Sequence, residues 1–334
     1  MSVRDRIRSL LGEAPPPAGG APGPAVPVER GTLGPSGGTV PRGMGYERPR
    51  PEPPAGASNY VLLVLDSCRF DAWVAAKPRV MGRLGELQHR YSYASWTSPS
   101  HYNLLMGLLP HPSPRHVYAS DHYREDFLLL RDRLGLPQLS FLEMLPRLWL
   151  PHFLRNRAGY HTQALTSLPV LNPDTPLAAD FDTFELMPRH NDLRAMLARL
   201  RFDDDRPTFA LLNAGETHYP YALPDEPEDQ WPRINGVHGV FKSLDASLRA
   251  GAGGPLPPRV FDEARLRALQ QRQVEAVRHI DGVVEELFDR LPPNTWVTIT
   301  ADHGELFGED GYFGHGPIFH EKVLEVPLVE GRLR

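Results

Sequence analysis

The sequence predicts an α/β fold with a mostly parallel central sheet flanked by helices, and three observations carry that prediction. A continuous apolar run at Asn59–Leu65 reads as a strand buried on both faces, as a parallel sheet requires, and 207–213 as a further buried strand. Helical apolar periodicity lies between such runs, clearest where Leu266, Leu269, Val274, Val277, Ile280, Val284, Leu287 and Leu291 share one face. Polar residues gather where the strands end: Asp66 after the first run, Gly215 to Tyr221 after the second, and Asp302-His303-Gly304-Glu305 after the run 295–300. That edge is where α/β proteins keep their chemistry.

A chain of 334 residues that is 41% hydrophobic can bury a sizeable core, in one large or two ordinary domains. A formal charge of −5 offers no general attraction to nucleic acid or to an anionic membrane. The single cysteine, Cys68, excludes an intramolecular disulfide and a thiolate-built zinc site, and it suits a reducing compartment, so a cytoplasmic address is expected. No apolar run approaches the roughly 20 residues that span a bilayer. The N-terminus also lacks the apolar core of a secretory signal.

Three regions follow in order. Residues 1–14 read as a short amphipathic helix, with Val3, Ile7, Leu10 and Leu11 on one face. It is either a docking peptide for a protein partner or a helix packed on its own domain. Residues 15–58 are dominated by Pro and Gly and read as a linker or extended arm. Residues 59–334 form the folded body. Within it, 110–139 reads as a surface insertion, 140–146 and 151–159 as helices, 160–166 as a strand and 191–200 as a helix. Val326-Pro-Leu-Val329 reads as a last strand whose Pro327 suggests a sheet edge. Asp281 and His279, on the long helix, take structural readings.

Each chemical feature has two readings at this level. Asp66 ends a buried strand and needs a cation, either Arg69 or a metal. Thr97, in Thr97-Ser98-Pro99-Ser100-His101, falls at or just before a helix start. Its hydroxyl is an N-cap or a nucleophile, in a place that favours anions. His218, in Thr217-His218-Tyr219-Pro220-Tyr221, is a structural loop residue or part of a site. Asp302 and His303 cap a turn or supply half of a metal site suited to Zn²⁺ or Mn²⁺.

Taken in order, four segments resemble the alkaline phosphatase and sulfatase superfamily, over nearly the whole chain from residue 59. Leu65-Asp66-Ser67-Cys68-Arg69 is similar to the strand end that carries a metal-binding Asp. Thr97-Ser98-Pro99-Ser100-His101, with Leu105-Met-Gly107-Leu-Leu-Pro110, fits the frame of the nucleophile motif. Thr217-His218-Tyr219-Pro220-Tyr221 matches the middle motif. Asp302-His303-Gly304-Glu305, Gly314-His315-Gly316 and Val326-Pro-Leu328 match the terminal metal motif, the His-Gly beyond it and the strand that follows.

The resemblance implies an alkaline-phosphatase-like sheet with a reduced C-terminal region. It implies a divalent metal, Zn or Mn, held by Asp66, Thr97, Asp302 and His303. One ion is favoured, and a second would fall near His315. Thr97 replaces the Cys or Ser that sulfatases oxidise to an aldehyde. The resemblance is therefore to the threonine-nucleophile branches that act on phosphodiesters. It implies a hydrolase or phosphotransferase working on a small-molecule or lipid-headgroup phosphate ester through a phospho-Thr97 intermediate. His218 and His315 are implied in catalysis, and Arg69 and His101 as phosphate contacts. The competing readings are a sulfatase-like hydrolase of sulfate or phosphonate esters without formylglycine, and a non-catalytic relative acting as a binding protein.

Overall fold

The computed structural model describes residues 50–113, 129–137, 149–234, 261–316 and 318–332. The helices expected over 1–14 and 140–146 and most of the arm lie outside the described residues. The described residues belong to one compact unit, Pro49–Arg334. The last residues of the expected arm lie on that unit: Arg50 pairs with Asp182, and Arg206 donates to the Pro51 carbonyl at 2.9 Å.

A seven-stranded sheet in the order β2-β9-β6-β1-β5-β3-β4 forms the centre. Its strands are β1 (Asn59–Leu65), β2 (Gln88–Tyr91), β3 (His161–Thr166), β4 (Thr183–Leu186), β5 (Thr208–Ala214), β6 (Thr295–Ala301) and β9 (Glu325–Arg332). β1 runs parallel to both β5 and β6, and β3 is parallel to β4 and β5; β9 is antiparallel to its neighbours β6 and β2. The mostly parallel sheet expected from the apolar runs is therefore present.

The period-two alternation of a strand sends successive β1 residues to opposite faces. Val61, Leu63 and Leu65 enter one core, with helices α1 (Phe70–Ala76), α4 (Leu193–Arg199) and α5 (Glu263–Arg290). Tyr60, Leu62 and Val64 enter the other, with α2 (Thr97–Leu105) and α3 (Leu150–Arg157). Among the described residues, no helix is long and apolar enough to cross a membrane.

Two expectations change. Pro327 is not on an edge, because β2 pairs with β9 on its other side, His89 opposite Pro327. The proline is tolerated because it lies just past the last β6 pair, Thr300 with Leu328, and its carbonyl takes the Thr300 hydroxyl at 2.7 Å. The segment read as a surface insertion is anchored in the core over 129–137, one of its two described parts, with Leu130, Arg133, Leu134 and Leu136 buried and Leu129, Asp132 and Pro137 exposed. Leu130 and Leu134 join the second core, and Arg133 pairs with Glu330 at 2.7 Å. Asp281 keeps its structural role, accepting from the backbone N–H groups of Arg79, Val80 and Met81.

Candidate active site

The sheet order places the carboxyl ends of β6, β1 and β5 side by side, and with them Asp302-His303, Asp66 and the loop that carries His218. Asp66, Asp302 and His303 are buried and offer ligand atoms that all lie within 4.8 Å of one another. Ser67, at φ 59°, turns the chain back so that its N–H donates to Asp302 Oδ1 at 3.0 Å. The His303 N–H reaches the same oxygen at 2.9 Å. Asn213 Nδ2 donates to Asp66 Oδ2 at 2.9 Å, and the Thr217 hydroxyl to the Asp66 carbonyl at 2.8 Å.

Asp302 Oδ2 is buried with no hydrogen-bond partner. Burial, and then the Asp66 charge, push Asp302 well above the usual carboxylate range. Two adjoining buried carboxylates, one with an orphaned oxygen, are costly without a cation. Arg69 does not supply it. Its guanidinium is held by Asp71 at 2.8 Å, by Glu309 at 2.6 Å and by the Glu305 carbonyl at 3.1 Å. The donor set therefore fits a divalent metal.

His303 completes that fit. Its Nδ1 lies 2.9 Å from the Gly304 carbonyl, which can only accept, so the proton is on Nδ1 and Nε2 presents a lone pair. Burial first, then the neighbouring His315, hold its pKa well below the ordinary histidine value and keep the ring neutral. Gly304 is required by close approach, since a Cβ there would lie 2.2 Å from the Lys322 carbonyl oxygen.

Thr97 is the first residue of α2 and is 2% exposed. The cap position belongs to Trp96, so the hydroxyl is not spent as an N-cap; Thr97 Oγ1 lies 3.3 Å from His303 Nε2. His101 Nδ1 donates to the Thr97 carbonyl at 2.9 Å, and His101 Nε2 is 3.5 Å from Asn213 Nδ2. Burial lowers its pKa and keeps this ring neutral too. At 1% exposed, His101 stands behind Thr97, bracing its turn, rather than in open space.

His218 and His315 join the cluster, their ring centroids 5.4 Å apart, with His315 4.3 Å from His303. The two-stranded ribbon of β7 (Leu306–Phe307) and β8 (Phe313–Gly314) pairs Leu306 with Gly314, which sets Glu305 opposite His315. His315 Nδ1 lies 3.2 Å from Glu305 Oε1, and the Tyr221 hydroxyl donates to the other carboxylate oxygen. His218 Nδ1 donates to the Tyr219 carbonyl at 2.8 Å. All three rings thus tie up Nδ1 and keep Nε2 for the site.

Sequence reasoning missed Asn213, Thr217 and Tyr221 as members of this assembly. Asn213 carried a readable signal, a polar residue ending an apolar strand, as Asp66 does; the other two depend on loop conformation. Glu216 is elsewhere: Oε1 accepts from Leu193 N at 2.7 Å at the start of α4, and Oε2 is buried without a partner. Burial raises its pKa from 4.5 to about 7. The native state therefore binds the proton more tightly than the unfolded chain, and stability falls as pH rises from 4.5 through 7. Glu216→Gln is expected to stabilise the protein at pH 8 by up to roughly 3 kcal/mol, with little change at acid pH, as urea denaturation at the two pH values would show.

The Sulfatase family profile matches residues 58–329. The C-terminal periplasmic domain of EptC from Escherichia coli, in complex with Zn, is 15% identical with a TM-score of 0.47, covering 82% of this chain and 72% of its own. A 2-O GAG sulfatase, BT1596, is 14% identical with a TM-score of 0.48, covering 82% and 64%. An alkaline phosphatase superfamily protein from Vibrio parahaemolyticus is 15% identical with a TM-score of 0.45, covering 82% and 60%. No curated protein matches the sequence. The cytoplasmic address expected from the lone cysteine gains no support here; Cys68 is buried, and burial pushes its thiol far above the ordinary range. With its match extending over most of the chain, from the strand that delivers Asp66 to the strand after His315, the chain belongs to the Sulfatase family.

Proposed function

We propose that the chain is a metal-dependent hydrolase or transferase acting on a phosphate ester, with phosphodiesters favoured, through a covalent phospho-Thr97 intermediate. The observation that carries the reading is the Thr97 hydroxyl, not used as a cap, at a helix N-terminus beside the buried group Asp66, Asp302 and His303. Those three residues, with Thr97, would hold one divalent ion, Zn or Mn. Such an ion lowers the pKa of a hydroxyl and screens the charge of a phosphoryl group when bound. Among the described residues they are the one group of at least three His, Cys, Asp or Glu ligands this close together, which supports a single ion.

In the first step Thr97 Oγ1, its proton released to solvent beforehand, attacks phosphorus as the alkoxide, the Oγ1–P bond forms, and the bond to the leaving oxygen breaks. His315 or His218, entering the step with a proton on Nε2 as well as on Nδ1, gives that oxygen the Nε2 proton. In the second step water or an acceptor alcohol gives its proton to the same nitrogen and attacks phosphorus, and the Thr97–phosphorus bond breaks, its electron pair returning to Oγ1 as the alkoxide. Backbone N–H groups at the start of α2 face the anionic group. Glu305 holds the His315 ring through Nδ1, and His101 braces the turn that bears Thr97. Arg69, committed to Asp71 and Glu309, is left to hold the β1 turn.

The family match favours sulfate esters as the second reading. Thr97 opposes the usual sulfatase route, because oxidation of a secondary alcohol cannot yield the aldehyde of formylglycine, and leaves a sulfatase-like hydrolase without formylglycine as the form of that reading. The test is a side-by-side assay of an aryl phosphodiester, an aryl phosphomonoester and an aryl sulfate with zinc- or manganese-loaded protein. Phosphodiester turnover is expected to dominate; sulfate turnover exceeding it would overturn the reading. Metal analysis of His315→Ala is expected to leave one equivalent of metal in place.

A further inference from the structure

The apolar stripe of α5 contains one buried polar residue. Its buried positions are Leu266, Leu269, Gln273, Val274, Ala276, Val277, Ile280, Val283, Val284, Leu287 and Phe288, and Gln273 is 0% exposed. An amide buried among aliphatic side chains is retained only where its hydrogen bonds are met. Gln273 Nε2 donates to the Ser67 carbonyl at 2.9 Å and to the Thr217 carbonyl at 3.0 Å, and Oε1 accepts from Arg69 N at 3.4 Å. Both amide protons and one acceptor site thus go to backbone groups of the two loops that follow β1 and β5.

Those loops carry the candidate chemistry. Ser67 follows Asp66 and donates its own N–H to Asp302; Thr217 precedes His218 and donates its hydroxyl to the Asp66 carbonyl. The hydrogen bonds close a ring: Asp66 carbonyl to Thr217 hydroxyl, Thr217 carbonyl to Gln273 amide, Gln273 amide to Ser67 carbonyl. The two carbonyls that Gln273 bridges lie beyond the β1–β5 ladder, whose last pair is Leu65 with Ala214.

We propose that Gln273 is a positioning residue of this site. Its amide locks the β1 turn to the β5 turn, and so fixes Asp66 and Asp302 for the metal and sets the loop of His218 against them. The inference rests on reading Asp66, Asp302 and His303 as metal ligands. Gln273 acts through them and touches neither metal nor substrate.

The test is zinc affinity, measured by competition with a chromogenic chelator on full-length protein that gives a native near-UV circular dichroism spectrum. Gln273→Met keeps the length and removes both donors; Gln273→Asn keeps the amide but shortens its reach. Each is expected to weaken zinc binding about 10–100-fold, the usual cost of losing a group that orients a ligand. Leu287→Ala, in the same helix but remote from both loops, is expected to lower the melting temperature and leave zinc affinity unchanged. Either folded Gln273 variant binding zinc like the parent, or Leu287→Ala weakening binding as much, would overturn the proposal. Parent protein that binds zinc but turns over no ester would overturn the proposed reaction and leave the role of Gln273 standing.

Discussion

Thr97→Val is expected to abolish phosphodiester turnover, by roughly 10⁴-fold or more, the scale on which a covalent mechanism fails when its nucleophile is removed. Valine has the shape of threonine without the hydroxyl, and the site Thr97 occupies is 2% exposed, so the substitution changes one atom's chemistry and little packing. At about 1.4 kcal/mol per tenfold, the loss corresponds to roughly 5–6 kcal/mol of transition-state stabilisation. Thr97→Ser, which restores a hydroxyl, is expected to recover most of the activity. Intact-mass spectrometry of acid-quenched parent enzyme should show a phosphoryl adduct that Thr97→Val lacks. Full activity in the valine variant would remove the covalent step altogether.

Asp302→Asn should change sign with metal. In chelator the parent buries Asp302 beside Asp66, and burial followed by that charge raises the Asp302 pKa well above its ordinary value. A raised folded-state pKa means that stability is greatest at low pH and is lost as pH rises past the unfolded carboxylate value. The metal-free asparagine variant should therefore melt above the metal-free parent at pH 8 and close to it at acid pH. Zinc reverses the order. A ligand at 100 times its Kd stabilises the parent by about 2.7 kcal/mol, or roughly 5 °C for a domain of this size. The variant, with one fewer anionic ligand, should gain far less. Melting scans at two pH values, with and without zinc, decide it. Equal zinc stabilisation of both proteins would exclude Asp302 as a ligand, and with it the site as drawn.

These expectations draw unequally on sequence and structure. β1 was legible because six consecutive residues, Tyr60–Leu65, can only be so apolar if both faces are covered. Asp66, Thr97, Asp302 and His303 were legible because polar groups at strand and helix ends have few inexpensive fates. What the sequence left open was partner choice. Arg69 lies three residues from Asp66, yet its guanidinium turns to Asp71 and Glu309, which come from its own turn and from the loop after β7. Strand β2 has too little apolar content to declare itself, and it exists because β9 supplies its ladder.

By itself, then, the sequence determined the buried strands, the long helix and the order of the motifs, because each follows from local burial and backbone preference. Tertiary structure alone decided which ends became neighbours. Sheet order set Asp302 and Asn213 on either side of Asp66, and ribbon register set Glu305 against His315. Gln273, 206 residues along the chain from Ser67, became the clamp between two loops. Hydrogen bonds between such distant residues are fixed by packing the whole sheet and its helices, which no local pattern encodes.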